Sequence, residues 1–450
     1  MPLELSRPEG SVTLKSKYWN LGSFLTTCAL LASCTADAPL INKANGSAYC
    51  AIPTRWSTVD KSYPPEVRLK KQTIEHIEQF WSDFKKDQAT LALALDNLHG
   101  DSGKANSDII TSWMKEHLEM IDPAIEYEFG LPREKAGHRL DFSGYGHDEV
   151  IQICKYLVAK APKIPNWQFA AYRQSLPPGE VAAGFKRRAG RDPIQFETSV
   201  NVSPQNKLDV TFTSPEFESD EEDNTKACRI LSDLIVGEEN DDVWLGVLTP
   251  RKGALMGQFN CAINSDGYAK AFEEKKKELI ASLPSVPYFK QDLSKTEEVH
   301  FSGKNRLSMK TALKKLAETL GAGGRFHDVQ FSKNGEKFAY LKVVKAKELQ
   351  SMDKADALAK DLDAQLRKAE AGCVFGLGIE SPDVVYLDVV IADLEKAVPV
   401  LQAFSQAHKF DHDSTLRFYD CVLRNEWVAM FDDTKKPQDL RKPWYLVENQ

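Results

Sequence analysis

Two histidines and two aspartates near the C-terminus are the side chains that most resemble a metal site in this 450-residue chain. Imidazole and carboxylate groups together suit zinc or a harder cation. The four residues satisfy no known ligand spacing, and the surrounding pattern predicts a loop between a helix and a strand. We therefore expect neither a metal nor another cofactor here. The residues are His408, Asp411, His412 and Asp413.

Two other histidines, His138 and His147, flank a predicted strand. Histidine titrates near neutrality, so either residue has the chemistry of a general acid or base. No serine, cysteine or carboxylate stands at a known catalytic spacing from them. We therefore expect a strand histidine that is satisfied by a neighbouring carboxylate.

Two glycine-containing segments resemble functional loops in composition only. The segment GDSG at 100–103 is similar to the nucleophile segment of chymotrypsin-like proteases, but Lys104 replaces the next glycine and helical patterns flank it. The segment GAGG at 321–324 follows a predicted helix and precedes a strand, which is the reverse of a phosphate-binding loop. We interpret the first as a turn and the second as a helix stop.

The charge balance argues against nucleic acid as a partner. The chain has 58 basic and 65 acidic residues and a net charge of −7, whereas a duplex-binding surface normally shows a basic bias. One local basic cluster is framed by glycines and followed by Pro193, which predicts a solvated loop rather than a phosphate site. The cluster comprises Lys186, Arg187, Arg188 and Arg191.

The eight cysteines form no CxxC pair and lie near no histidines at metal-ligand spacing. Several stand inside apolar runs, where free cysteine behaves as a small hydrophobic side chain. A disulfide framework is not expected in a chain long enough to build its own cores. The residues are Cys28, Cys34, Cys50, Cys154, Cys228, Cys261, Cys373 and Cys421.

The first 34 residues resemble a lipoprotein signal. Lys15 and Lys17 precede the apolar stretch 21–32, and the sequence LASC ends at Cys34 in the manner of a lipobox. On this interpretation Cys34 is acylated, residues 35–66 form a tether, and the protein lies in the cell envelope, in contact with the membrane only through its lipid. The alternative is a short core helix and a cytoplasmic protein.

Length and composition predict two or three domains. A chain of 450 residues exceeds what one hydrophobic core supports, and 42% hydrophobic residues are enough to fill several cores. Prolines between charged, weakly periodic residues mark a boundary at 284–300. We predict an N-terminal domain at 67–283, a linker at 284–300 and a C-terminal domain at 301–450.

The spacing of hydrophobic residues, which alternates between helical and strand periods along the chain, predicts an α+β protein. After two amphipathic helices, the order strand–strand–helix–strand occurs three times, and helices of this kind cover one face of an antiparallel or mixed sheet. Further predicted elements are helices at 308–320 and 346–369 and strands at 326–331, 337–344 and 427–431. The three predicted repeats are 125–129, 138–142, 148–160 and 167–172; 196–202, 208–212, 226–235 and 243–248; and 373–378, 384–390, 394–407 and 415–419.

Several motifs resemble a family of uncharacterised bacterial proteins. These are the strand sequence GHRL at 137–140, the sequence APKIPNWQFAAYR at 161–173, and the C-terminal segments VYLD at 385–388, RFYD at 417–420 and EW at 426–427. The likeness covers about 300 residues. It implies a family with no assigned activity, and it carries over no catalytic residue.

Two functions remain open. The repeated sheet unit and the lack of paired acid–base or nucleophile motifs favour a non-catalytic protein that binds another protein. The alternative is a hydrolase whose site is assembled from residues far apart in the sequence. A pocket with convergent titratable groups would favour the enzyme, and an open sheet face would favour binding.

Overall fold

The computed structural model describes most of the chain beyond residue 70. Ten helices and mixed or antiparallel sheets in these ranges confirm the α+β class. The predicted signal at 1–34 and the tether at 35–66 lie outside the described residues. The described ranges are 71–98, 103–130, 137–218, 220–256, 261–299, 308–321, 325–344, 352–381, 384–424, 426–435 and 437.

The N-terminal unit (71–172) packs two helices on a small sheet. Strand β2 pairs antiparallel with β1 and parallel with β3, because α3 carries the chain back across the sheet. One face of α1 is buried through Ile77, Phe80, Trp81 and Phe84, and the ring of Phe80 lies 5.5 Å from that of Trp113 and 5.8 Å from that of Phe142. Ile109 of α2 is exposed. The elements are α1 (Lys71–Asp96), α2 (Gly103–Ile121), β1 (Glu126–Gly130), β2 (His138–Ser143), α3 (Asp148–Ala159) and β3 (Trp167–Ala171).

The middle unit (181–282) has a second three-stranded sheet with the order β4-β5-β6. Its first two strands are antiparallel and the third is parallel to β5, as in the N-terminal unit. One face of this sheet packs on α5 and α7 in a separate hydrophobic core. The elements are α4 (Val181–Ala189), β4 (Glu197–Val202), β5 (Leu208–Ser214), α5 (Glu221–Val236), α6 (Glu238–Trp244), β6 (Leu245–Lys252) and α7 (Cys261–Ser282).

The basic cluster at 186–191 is not the solvated loop that we predicted. Lys186, Arg187 and Arg188 form the last turn of α4, which ends at Gly190 in the left-handed conformation (φ 69°). Arg188 pairs with Asp233 and with Glu128 of β1. Arg188 therefore joins the middle unit to the N-terminal unit through an ion pair.

The C-terminal unit (297–429) is built on a sheet with the strand order β13-β12-β9-β11-β10-β8-β7. The segment from β9 to β12 runs strand–helix–strand–strand–helix–strand, which gives the central order β12-β9-β11-β10 of a ferredoxin-like fold. The elements are β7 (Glu297–Val299), β8 (Ser308–Thr311), α8 (Lys314–Gly321), β9 (Lys337–Val344), α9 (Met352–Lys368), β10 (Gly372–Ser381), β11 (Val384–Ile391), α10 (Leu394–Ala407), β12 (Thr415–Phe418) and β13 (Trp427–Ala429).

Three predictions for this region require correction. A repeat of three equal units is not confirmed, because β9 lies between β11 and β12. The predicted helix at 308–320 is strand β8 followed by the shorter α8, since residues 308–311 pair with β10. The predicted strand at 326–331 contains the short 3-10 turn Asp328–Gln330, where the Gln330 side chain accepts a hydrogen bond from the backbone N–H of His327 (3.1 Å).

The cores connect parts of the chain that are distant in sequence. One hydrophobic cluster contains the N-terminal unit together with one face of the C-terminal sheet, and α3 packs on the turn Cys421–Leu423. The other face is covered by Phe326, Phe331 and Tyr288. Tyr288 belongs to the predicted linker 284–300, and its hydroxyl donates to the Phe331 carbonyl (3.0 Å). The domain boundary there stays a prediction.

Candidate functional site

The loop between β2 and α3 places a carboxylate at the start of a helix. Tyr145 (φ 44°) and Gly146 (φ 84°) adopt left-handed backbone conformations that turn the chain sharply. A Cβ atom on Gly144 would lie 2.8 Å from the His147 carbonyl oxygen, so the turn requires glycine there. As a result Asp148, the first residue of α3, points out of the N-terminal unit.

Asp148 joins the N-terminal unit to the C-terminal unit. One of its oxygens pairs with Arg325 and the other with Arg424. The Arg325 Nη2 atom also lies 2.7 Å from Oδ1 of Asp242 in α6 of the middle unit. Because all three units contribute a charged side chain, we call Asp148, Asp242, Arg325 and Arg424 the junction.

Glu238 connects the N-terminal and middle units beside the junction. Its side chain accepts hydrogen bonds from the Ser143 hydroxyl (2.5 Å) and from the backbone N–H of Arg173 (2.8 Å). Its own backbone N–H donates to the Arg173 carbonyl (3.0 Å). Glu238 is buried, and these bonds satisfy a carboxylate that would otherwise be costly to remove from water.

A buried set of histidine, aspartate and cysteine lies behind the junction. The Cys421 sulfur is 3.4 Å from Nε2 of His327 and 3.7 Å from Nδ1. The Asp420 Oδ1 atom is 3.7 Å from the same Nδ1, and all three side chains are buried. Within the described ranges, this His–Asp–Cys cluster is the one group of three His, Cys, Asp or Glu side chains close enough to share a metal ion.

Backbone hydrogen bonds hold the cluster in place. Asp420 accepts from the N–H of Val422 (3.0 Å) through one oxygen and from the N–H of Asp328 (2.9 Å) through the other. The Cys421 N–H donates to the Phe326 carbonyl (2.9 Å), and this bond holds the segment with Cys421 next to the segment with His327. These backbone contacts fix the orientation of the Asp420 carboxylate.

The electrostatics of the cluster favour neutral groups. Burial lowers the pKa of His327 to about 4, so its imidazole is neutral at pH 7. Burial, together with the charge of Asp420, raises the pKa of the Cys421 thiol well above its usual range. Burial also raises the pKa of Asp242 to about 6. The cysteine and histidine are thus a thiol and an imidazole rather than a thiolate–imidazolium pair.

A small pocket lies on the solvent side of the junction. Its space is about 10 Å³, enough for roughly one water molecule and too small for an organic substrate. The Tyr172 hydroxyl lies 3.5 Å from Oδ2 of Asp242, and that oxygen is 4.0 Å from Nε2 of His327. Asp242 therefore separates the pocket from the His–Asp–Cys cluster. The lining residues are Gly144, Gly146, His147, Ile151, Tyr172, Glu238, Asp242 and Arg325.

The histidines singled out in the sequence lie apart from the cluster. His138 Nε2 is 3.6 Å from Oδ1 of Asp96, and burial lowers the pKa of this histidine. The expected pairing of a strand histidine with a carboxylate is present there. His147 lines the pocket.

The four residues near the C-terminus do not assemble into one site. His408 contacts Asp361 (3.2 Å), whereas His412 contacts Asp433 (2.5 Å). Asp411 accepts a hydrogen bond from the backbone N–H of Asp413 (3.0 Å). Residues 99–102, 322–324 and Cys34 lie outside the described residues, so the predictions made on them stay predictions.

Sequence reasoning missed His327 and did not connect Asp420 and Cys421 with it. His327 and Cys421 are in contact although they are 94 residues apart in the sequence, and the contacting residues Asp148 and Arg424 are 276 residues apart. No spacing rule covers such distances. The available signal was an adjacent Asp420-Cys421 pair at the end of a predicted strand, and it does not identify a histidine partner.

The fold and site define an α+β protein with a ferredoxin-like C-terminal unit and a charged junction of three units. Comparison with known proteins finds no matching family model, no matching curated protein and no matching solved structure. Among the helices of the described ranges, none combines the length and the hydropathy that a membrane span requires.

Proposed function

We propose that this chain is a non-catalytic protein that binds another protein through the face of the middle sheet that lies opposite α5 and α7, where the described residues leave side chains exposed. The observation that carries the proposal is a row of small polar side chains across this sheet. Ser199 of β4 is paired with Thr211 of β5, which is paired with Thr249 of β6. Ser199 and Thr249 are exposed and Thr211 is half-buried.

The opposite face of the same strands shows why this face is available. The adjacent row of Val200, Val210 and Leu248 is buried in the core formed with α5 and α7. Because side chains alternate along a strand, the row that starts with Ser199 points away from these helices. We call Ser199, Asn201, Thr211 and Thr249 the open face.

The chemistry of the open face suits an uncharged protein surface. Hydroxyl and amide side chains offer hydrogen bonds, and the exposed Val247 adds apolar area at its margin. Asp209 is engaged within the sheet, since its Oδ1 atom accepts from the backbone N–H of Val247 (2.8 Å). The partner would therefore present small polar and aliphatic side chains.

A double substitution on the open face tests this proposal. Thr211→Arg with Thr249→Arg should weaken partner binding at least about tenfold, because two cations would face an uncharged surface. The control, Ala281→Arg with Ser285→Arg, adds the same charge at exposed positions near the end of α7 and should bind normally. Partners captured from the native cells would be purified and titrated against each variant. Equal affinity of both variants, or no captured partner, would contradict the proposal.

The second candidate function is a hydrolase, and the His–Asp–Cys cluster is the observation that favours it. Cysteine hydrolases use a thiolate activated by a histidine that a third residue orients. In this protein burial raises the pKa of the Cys421 thiol and lowers the pKa of His327, which opposes formation of the reactive pair. The raised pKa of the thiol and the lowered pKa of the imidazole therefore favour binding over hydrolysis.

Thiol labelling separates the two candidates. In native buffer, we expect iodoacetamide to label Cys421 at least about a hundredfold more slowly than in denaturant, because reaction requires local unfolding. The buried Cys154, Cys228 and Cys373 serve as internal references. Selective native labelling of Cys421, or ester hydrolysis that Cys421→Ala abolishes, would establish the hydrolase instead.

We also propose the cell envelope as the location of the protein, on the strength of the LASC sequence that ends at Cys34. A Cys34→Ala variant should then retain its N-terminal segment and lose its lipid, since the acylated cysteine is the cleavage point. Intact mass spectrometry of protein from the native cells measures both properties. An unprocessed wild-type chain without lipid would favour the cytoplasmic alternative.

A further inference from the structure

Three donor atoms of the kinds that zinc prefers converge in the His–Asp–Cys cluster. Zinc binds cysteine sulfur, histidine nitrogen and carboxylate oxygen, commonly in tetrahedral sites. The ligand atoms of His327, Asp420 and Cys421 all lie within 4.8 Å of one another. The cluster thus contains three different ligand types, each from a buried side chain.

The distances from the Nδ1 atom of His327 to the other two donor atoms fall in the range found around a tetrahedral ion. Bond lengths of about 2.0–2.3 Å place neighbouring ligand atoms roughly 3.3–3.8 Å apart. The Cys421 sulfur lies 3.4 Å from one nitrogen of His327 and 3.7 Å from the other. The Asp420 oxygen lies 3.7 Å from the ring. To enclose an ion in the plane of the imidazole beside Nδ1, the Cys421 sulfur would move away from Nε2 and towards the Nδ1 side of the ring.

The surroundings provide the outer contacts that metal-binding residues usually have. Metal-bound histidines direct their second nitrogen at a carboxylate or carbonyl. Nδ1 of His327 faces Asp420, and Nε2 faces Asp242 at 4.0 Å. Because Asp420 is a proposed ligand, the ion would bind Nδ1, and Nε2 would keep the carboxylate of Asp242 nearby. Asp420 is itself fixed by the N–H groups of Asp328 and Val422.

From these contacts we infer that His327, Asp420 and Cys421 bind a divalent zinc-like cation at the place where the C-terminal unit meets the other two. Binding forms a bond from the cation to the Cys421 sulfur and releases the thiol proton to water. Asp242 lies between the cluster and the small pocket, so the cation reaches the site past this carboxylate. The inference is independent of the open face, which lies on the middle sheet.

Cobalt substitution tests the ligand set. The full chain, reduced and stripped of metal, is titrated with Co²⁺, which reports tetrahedral geometry by its visible bands and sulfur ligation by a near-ultraviolet charge-transfer band. We expect one equivalent to bind with both signals, and Zn²⁺ to displace it. Cys421→Ser should lose the charge-transfer band and bind at least about tenfold more weakly.

A matched control keeps the result specific. Cys373 is also buried but lies on β10 in the core that contains Tyr288, so Cys373→Ser should bind Co²⁺ as the wild-type chain does. His327→Gln should weaken binding while keeping the charge-transfer band. If Cys421→Ser and Cys373→Ser bind alike, or if the wild-type chain shows no sulfur ligation, the inference is overturned.

A measurement on the wild-type chain avoids any dependence on variants that fail to fold. X-ray absorption of the zinc-loaded protein should show one sulfur neighbour at about 2.3 Å and nitrogen or oxygen neighbours at about 2.0–2.1 Å. Several sulfur neighbours, or none, would contradict the assigned ligands.

Discussion

Replacing Asp148 by alanine is expected to lower the free energy of unfolding by about 2–3 kcal/mol. Removing one partner of a buried ion pair leaves its counter-charges without compensation, which typically costs about 3–5 kcal/mol. The side chain of Asp148 is 6% exposed, but those of Arg325 and Arg424 are 31% and 30% exposed. Water can therefore solvate the arginines in part, which places the effect below that range.

The loss should be concentrated where α3 meets the C-terminal unit. Asp148 begins α3, and this helix packs on the turn Cys421–Leu423. Urea denaturation measures the total effect, and hydrogen exchange should show faster opening of α3 and of residues 421–423.

Asp266→Ala provides the control for Asp148→Ala. Asp266 pairs with Lys270 on the surface of α7, where the two side chains are 48% and 70% exposed. Removal of such a pair should cost less than about 0.5 kcal/mol. Equal stability of the two variants would show that Asp148 does not join the units energetically.

Replacing Phe338 by alanine is expected to cost about 4 kcal/mol. Phe338 is fully buried on β9, and its ring lies 5.6 Å from that of Tyr288 and 6.1 Å from that of Phe375. The substitution would remove apolar contacts and leave a cavity that rigid sheet neighbours cannot fill. Denaturant titration would measure the loss.

Limited proteolysis extends this test to the predicted linker. Tyr288 loses its aromatic neighbour when Phe338 is replaced, so cleavage within residues 284–300 should become faster. Leu93→Ala, at a position that is 65% exposed, should change the free energy of unfolding by less than about 0.5 kcal/mol and leave cleavage unchanged. An unaltered cleavage rate in Phe338→Ala would mean that this ring does not hold the segment.

Local patterns in the sequence were sufficient for the long elements of the C-terminal unit. The helical spacing of apolar residues predicts a helix at 394–407, and α10 occupies this range. The Asp393 side chain caps the start of α10 by accepting hydrogen bonds from two backbone N–H groups. The alternation at 337–344 likewise predicts β9 over its full length. Helical and strand periods arise from residues a few positions apart, so a short window contains them.

Short elements depended on partners elsewhere in the chain. Residues 308–311 have a sequence that also suits a helix, and pairing with residues 376–379 of β10 and with β7 makes them a strand. The segment at 326–331 has strand-like alternation, yet Phe326 and Phe331 are both buried around a 3-10 turn and their rings stack at 5.5 Å. In both segments tertiary contacts outweighed local preference.

Composition and local periodicity were sufficient to predict the α+β class, the main helices and strands, and the apolar surroundings of Cys154, Cys228, Cys373 and Cys421, which are buried free thiols. The position of β9 between β11 and β12 and the contact of His327 with Cys421 arise from the folded chain. These features differ in the range of the interactions that produce them. Periodicity and composition indicate which side chains are buried, because burial of apolar groups follows the local helical or strand spacing. Ion pairs and sets of ligand residues depend instead on which distant segments lie side by side in the folded protein.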